Sequence, residues 1–223
     1  MPDWQDEGFV LGGRRFGENG VILSVFTKTH GRHLGLVRSK RMPMSGSFVN
    51  VKWHARLSEH LGTYSSEIIH PLSAILMDDR KRLAAIGSIC ALLDETLPER
   101  ENTQNLYEKM TFFLDNFSDD NWQAEYVRFE LNLLAILGFG LDLSECAGGG
   151  SCDDLAYVSP KTGRAVSREK GNPYREKLLP LPRFLWQETS ANAEDIKNGL
   201  ILTGYFLSKH VKTLPITRQT LMK

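Results

Sequence analysis

Phe48-Val49-Asn50-Val51-Lys52-Trp53-His54-Ala55-Arg56-Leu57 alternates residue by residue between two kinds of side chain. Successive side chains of a β-strand point to opposite faces. Val49, Val51, Trp53, Ala55 and Leu57 therefore share one face, and Phe48, Asn50, Lys52, His54 and Arg56 share the other. The first set suits a core. The second is polar and cationic with no acid among it, which suits a surface that tracks a nucleic-acid backbone, with Phe48 or His54 available to stack. A strand that merely faces solvent more commonly mixes the two signs.

Working outward from this strand, the first ~75 residues read as short strands and turns. Gly8–Arg15 holds Phe9-Val10-Leu11 and then Gly12-Gly13. Val21–Thr27 alternates Val21, Leu23 and Val25 against Ile22, Ser24 and Phe26. Thr29-His30-Gly31 reads as a tight turn, and His33–Ser39 as a strand with Leu34 and Leu36 on one face. Residues 40–47 form a basic loop with Pro43 and Gly46, and Gly62–Pro71 is a fifth strand. Five strands without a long helix between them predict a small closed barrel.

Charge sharpens this reading. The whole chain is neutral, with 27 bases and 27 acids. Between Arg14 and Arg56, however, the bases Arg14, Arg15, Lys28, Arg32, Arg38, Lys40, Arg41, Lys52 and Arg56 face the single acid Glu18. Such segregation makes a partner for a polyanion, because each base can displace a condensed counterion from phosphate. These nine residues and His54 are the candidate nucleic-acid contacts; a solvated basic face is the plainer reading.

Beyond the barrel the period changes. Leu83, Ile86, Cys90, Leu93 and Leu97 mark an amphipathic helix within 74–97, stopped by Pro98, with Arg80, Lys81 and Arg82 near its start. Leu106, Met110, Phe113 and Phe117 mark a second helix over about 103–117. Tyr126, Phe129, Leu133 and Leu137 mark a third over about 120–137, with Gly138 as its C-terminal cap. Residues 141–189 are rich in Gly and Pro and read as irregular. A last helix spans about 193–211 after the capping residue Asn192, with Ile196, Leu200, Thr203, Leu207 and Val211 inward. The expected organisation is a barrel over 1–75 and a helical domain over 76–223 interrupted at 141–189, an α+β chain. No apolar run approaches the ~18 residues that span a bilayer. The acidic start and the odd number of cysteines, three, point to the reducing cytoplasm.

Catalytic signals are sparse. Cys146 and Cys152 flank Gly148-Gly149-Gly150, but a structural zinc site takes four N/S ligands, commonly two close pairs, and no second pair follows. Zinc is therefore not expected, and no cofactor is called for. His30 and His33 stand beside Arg32, which would repel a metal; they read as surface residues near phosphate. The triglycine lacks the Gly-Lys-Ser/Thr of a phosphate loop, and Asp153-Asp154 reads as a solvated pair. No nucleophile, base and orienting acid come together in the sequence, so the expectation is a protein that is not an enzyme.

Several segments together resemble one family. They are Asp6–Gly12 with Val21–Thr27, Thr29–His33, Trp53–Gly62, Arg128–Leu131 running into Leu137–Asp142, and Tyr157–Ser167. In this order, and across nearly the whole chain, they resemble the RecO family of bacterial recombination mediators, in an alphaproteobacterial style. The resemblance implies an N-terminal OB-fold β-barrel joined to an α-helical domain with a zinc-finger-like insertion, and no catalytic site. It also implies binding of single- and double-stranded DNA through the basic barrel face, annealing of complementary strands, and, with RecR, loading of RecA onto DNA coated by single-stranded DNA-binding protein (SSB). The acidic SSB C-terminal tail would dock on the helical domain, and the protein would be cytoplasmic and associated with the nucleoid. Two departures stand out. Some family members carry four zinc-ligating cysteines in the insertion, where this chain keeps Cys146 and Cys152. The loop at Lys40–Ser47 is also short. Competing readings are an RNA-binding OB-fold protein without a role in recombination, and a metal-dependent hydrolase built on Cys146, Cys152 and Asp153.

Overall fold

The computed structural model of the chain describes residues 3–39 and 41–222. Its N-terminal strands are β1 (Asp3–Phe16), β2 (Gly20–Thr27), β3 (Gly31–Val37), β4 (Phe48–His54) and β5 (Thr63–His70). They are hydrogen-bonded in the order β1-β2-β3-β5-β4, and β4 returns to β1, closing a barrel. β1 serves two neighbours. Its first half pairs with β4, from Asp3↔His54 to Phe9↔Phe48, and its second half pairs with β2. A register shift between Val10 and Gly12 supplies the bend that a shared strand needs.

Val10, Leu23, Val25, Val49, Val51, Trp53, Ala55 and Tyr64 fill the barrel. β4 buries Val49, Val51 and Trp53 and exposes Lys52 and His54, as its alternation requires. The strand stops at His54, and Leu57 is 47% exposed where the alternation put it inside. The Trp53 indole N–H donates to the Leu61 carbonyl at 3.0 Å, which folds residues 55–62 back as a loop. β2 is buried on both faces. Its inner face is barrel core, while outside it Phe26 packs on Tyr107 and the Ser24 hydroxyl donates to Asp94 at 2.6 Å.

β3 turns Gly31, His33 and Gly35 inward and leaves Leu34 and Leu36 half-buried on the other face. His33 is therefore no surface residue: it is 3% exposed, its ring 5.0 Å from those of Trp4 and Trp53. His30 stacks flat on Trp4 at 4.0 Å and contacts the Asp6 carboxylate at 3.1 Å, so neither imidazole is arranged for phosphate. Large aromatics occupy this end of the barrel, and small or polar β3 residues are what fit beneath them. The Tyr64 ring lies against Gly35 so closely that an added Cβ would meet it at 2.4 Å. Gly31 has φ +63°, and its missing Cβ would fall 1.7 Å from the Glu101 carbonyl oxygen.

Helical elements follow: α1 (Leu72–Ile75), α2 (Arg80–Thr96), α3 (Gln104–Asp115) and α4 (Trp122–Ile136). α5 (Arg168–Gly171) lies within the insertion, and after it come α6 (Ala193–Leu207) and α7 (Arg218–Leu221). Asp79 caps α2 by accepting from the Arg82 N–H at 2.9 Å, and Arg82 also pairs with its carboxylate. Hydrogen bonds from Arg82, its backbone N–H first, hold the Asp79 carboxyl below the usual range. Asn192 and Asp195 form a reciprocal capping box at the start of α6. α4 and α6 are tied by buried Glu130, which accepts from the hydroxyls of Tyr126 and Thr203. Phe113, Phe117, Trp122 and Phe129 complete an aromatic core there. The insertion is more ordered than its composition suggests. It holds a three-stranded sheet in the order β7-β6-β8, from β6 (Leu155–Val158), β7 (Ala165–Ser167) and β8 (Leu179–Pro180). Strands of two to four residues are too short for a period to show.

The chain is thus α+β, a five-stranded N-terminal sheet followed by a largely helical part. It forms two compact units: one reaches Glu108 and includes Pro215–Leu221, and the other is Lys109–Leu214. Among the described residues no helix is long and apolar enough to cross a membrane.

Two stability predictions follow from this packing. Gly31→Ala meets a backbone oxygen and an unfavourable φ together, so it should cost at least about 2 kcal/mol. Gly35→Ala has only the Tyr64 ring to displace and should cost about 1–3 kcal/mol; urea unfolding of both variants checks the order. The second concerns His33, whose imidazole is pushed down to about 4, burial outweighing its hydrogen bond to the Leu34 carbonyl. The unfolded chain, with a pKa near 6.5, takes up the proton first as pH falls. The stability tied to His33 is therefore complete above about pH 6.5 and is lost as pH drops towards 4. Between pH 7.5 and 4.5 the native chain should lose about 2 kcal/mol more than His33→Asn. Equal losses in the two proteins would remove His33 from the account.

Candidate nucleic-acid interface

β3 ends at Val37, and the chain then loops through 38–47 before β4 begins. The far half of that loop is tied down. The Gly46 N–H donates to the Val10 carbonyl at 2.7 Å, the Val10 N–H donates to Ser47 at 2.9 Å, and the Ser73 hydroxyl donates to the Ser45 carbonyl. Nearer β3, the Ser39 hydroxyl accepts from the Arg41 N–H at 3.0 Å and donates to the Arg41 carbonyl at 2.9 Å. A short loop held in this way forms one wall of a groove. Residues of β4 and β5 form the other.

The groove encloses about 910 Å³ and is lined by Arg38, Arg41, Lys52 and His54, with Met42, Met44 and Ile68 contributing apolar surface. Those three apolar side chains are 51%, 44% and 49% exposed, a patch that invites a partner. Among the described residues that line it there is no Asp or Glu, although Asp3 of β1 pairs with His54 and Glu67 of β5 pairs with Asn50 on the same face. Cations gathered in a concave surface reinforce one another's potential.

The remaining candidates are distributed around the barrel. Arg15 pairs with Val21, which on its other side pairs with Val37, so Arg15 and Arg38 lie at one end of the sheet, about 10 Å apart across two strand spacings. Arg14 and Arg15 are exposed there. Arg56 is exposed in the loop after β4, two residues beyond His54. Lys28 sits at the opposite end of β2, roughly 20 Å along the strand from Val21. Arg32 is engaged elsewhere: its Nε donates to the Asp94 carboxylate at 3.0 Å, and with Arg14 and Asp94 it lines a small separate hollow. Lys40 lies outside the described residues. Phe48 packs its ring on Phe9 at 4.9 Å, leaving His54 as the exposed ring of the groove.

Three features carried no local signal. Met42 and Met44 read simply as loop residues. The apolar wall they make depends on Ile68, a distant residue of β5. Arg100 is marked by nothing around it in sequence, yet it holds the loop that bears Arg56 through the carbonyls of Ser58 and His60.

Among the described residues no group of three or more His, Cys, Asp and Glu could hold a metal ion. Cys90 is fully buried in α2, and burial pushes its thiol up to about 12. Cys152 is exposed, while Cys146 is buried and its sulfur accepts from the Ser167 N–H at 3.1 Å. Burial raises the Cys146 thiol, but hydrogen bonds from Ser167, Gly150 and Gly148 outweigh it and bring the pKa down to about 7. Beside Cys146 and Cys152 the described residues supply no further ligand cluster, so the donor set falls short of the four N/S ligands of a structural zinc site.

Comparison with known proteins places this architecture. Residues 1–72 match the family model "Recombination protein O N terminal", and residues 77–219 match "Recombination protein O C terminal". The chain is 45% identical to the DNA repair protein RecO of Rhodospirillum rubrum, across 98% of this chain and 94% of that protein. It is 46% identical to the DNA repair protein RecO of Mesorhizobium japonicum, across 94% of this chain and 86% of that one. The RecO of Methylocella silvestris is also 46% identical, across 95% and 89%. With both halves matched and such relatives aligned over nearly their whole length, the chain belongs to the recombination protein O family of DNA repair and recombination proteins.

Proposed function

We propose that this protein is a recombination mediator that works by holding DNA and performs no covalent step. Its barrel acts as an OB-fold that binds single- and double-stranded DNA along the groove between loop 38–47 and the β4–β5 face. The observation that carries this reading is the groove that Arg38, Arg41, Lys52 and His54 line together. Phosphate contacts of this kind fix a strand without choosing its sequence. Cations on a strand also lower its repulsion for a complementary one, which favours annealing. The helical part receives the acidic C-terminal tail of SSB, and with RecR the protein helps load RecA onto SSB-coated strands in the cytoplasm, at the nucleoid. This reading needs no metal or other cofactor. Family membership supports it, because the relatives are named as DNA repair proteins.

Fluorescence anisotropy of a labelled single-stranded oligonucleotide tests the groove. Log affinity should fall linearly with log salt, and Arg38→Glu and Lys52→Glu should each weaken binding about tenfold at moderate salt. Each should also reduce the magnitude of the salt slope by about 0.7, the value for one phosphate on a single strand. Unchanged affinity in both would remove the groove from the interface. A matched RNA oligomer that competes equally well would favour RNA binding. Annealing of SSB-coated complementary strands should be faster with the protein and lose that gain at high salt. DNA binding without acceleration would leave a simple binder.

A further inference from the structure

Arg100 has φ +69°, the only non-glycine residue with positive φ among the described residues. An L-residue in that conformation persists only where its surroundings hold it. Here they do so on several sides. The Arg100 N–H donates to the Arg32 carbonyl at 2.7 Å, at the start of β3. Its guanidinium donates through Nη1 to the Ser58 carbonyl at 2.6 Å and through Nη2 to the His60 carbonyl at 2.8 Å. Nε contacts the Glu99 carboxylate at 3.3 Å. The segment is seated on β3 by an Arg32↔Glu99 bridge and by the approach of Glu101 to Gly31.

The target of this clasp is the loop between β4 and β5. Its two ends, His54 and Thr63, both line the groove, and Arg56 stands exposed between them. One side of the loop is pinned by the Trp53 indole on the Leu61 carbonyl. Arg100 supplies the second anchor, and its planar fork is suited to two carbonyls at once, where a lysine ammonium is a point charge on a flexible stem. With its donors turned to the loop backbone and to Glu99, Arg100 is occupied by protein and not aimed at a phosphate.

We infer that Arg100 is a positioning residue for DNA binding: by clasping Ser58 and His60 it holds the 55–62 loop so that Arg56 is presented beside the groove. The inference rests on the groove being the DNA surface. Ordering one long side chain and its loop in advance changes affinity by about three- to tenfold.

The test uses the full chain with Arg100→Gly, Arg100→Lys, Arg56→Ala and the double variant Arg56→Ala/Arg100→Gly. Glycine accepts the positive φ and keeps the N–H bond to Arg32, so Arg100→Gly should fold; matched thermal melting checks this. Three results are expected for it. Amide hydrogen exchange across 56–62 should speed up. Affinity for a single-stranded oligonucleotide should fall about three- to tenfold. The salt slope should stay that of the native chain, whereas Arg56→Ala should lower its magnitude by about 0.7. Arg100→Lys, which keeps the charge and loses the fork, should bind like Arg100→Gly. The double variant should bind no worse than Arg56→Ala alone, because Arg100 acts through Arg56.

Native affinity in Arg100→Gly beside a loss in Arg56→Ala would overturn the inference and leave the groove standing. A slope reduced by Arg100→Gly as much as by Arg56→Ala would overturn it in favour of a direct phosphate contact. Additive losses, or native binding by Arg100→Lys, would overturn it too. Native binding by Arg38→Glu, Lys52→Glu and Arg56→Ala together would overturn the DNA reading of the groove, and the inference with it.

Discussion

The barrel closes through its narrowest seam, the single parallel bridge Leu36↔Thr63 between β3 and β5. Every other neighbouring pair is joined by a ladder of seven or eight registered residues. At the seam one backbone bond, Leu36 N–H to the Gly62 carbonyl at 3.1 Å, is supported by the Tyr64 ring packed on Gly35. Side-chain packing thus takes over where the ladder is missing. Two consequences run through the rest of this unit. Uncovered strand surface on either side of the seam becomes the floor of the groove. The loops that flank it, 38–47 and 55–62, cannot be held by strand pairing and are anchored from other elements.

Those anchors differ in kind. Loop 38–47 is tied by backbone bonds to Val10 on β1 and by the Ser73 hydroxyl. Loop 55–62 is tied by the Trp53 indole and the Arg100 guanidinium, which satisfy carbonyls that no strand reaches. Bases carried by such loops lose less freedom when they meet an anion than bases on free loops would. The same logic explains Arg32. Asp94 on α2 accepts from Ser24 and from Arg32 together, which binds α2 to β2 and β3 and spends that arginine on the fold.

Periodicity made much of this legible in the sequence. The alternation of 48–57 gave the inside and outside of β4 correctly through Ala55, and failed at Leu57 because a long-range indole bond ends the strand first. Helix stripes such as Leu106, Met110, Phe113 and Phe117 are buried as their spacing requires. His33 was misjudged because its neighbours in sequence are polar while its neighbours in space are Trp4, Trp53 and Tyr64. Of the candidate contacts, Arg38, Arg41, Lys52 and His54 share the groove, and two short-range facts reveal them: strand parity, and a basic loop between strands. The engagement of Arg32 with Asp94 and the clasp at Arg100 join residues tens of positions apart, so no local pattern announces either.

What the groove lacks bears on the proposed activity. An OB-type surface that grips single strands tightly commonly stacks bases on exposed aromatic rings. Here Trp4, Trp53 and Tyr64 are packed with one another at the barrel end, and Phe48 is spent on Phe9. Apart from Tyr64, which is buried, the groove offers cations, an imidazole and pliable methionines. In the proposed reading such a surface holds the backbone more than the bases. A strand held by its phosphates keeps its Watson–Crick edges free to meet a complement, and it can be released by competing cations once the duplex has formed. Tight stacking would oppose both steps. In the proposed reading, a modest, salt-sensitive grip is the physical property that annealing asks of this barrel, and burial of its aromatics at one end leaves it a surface of that kind.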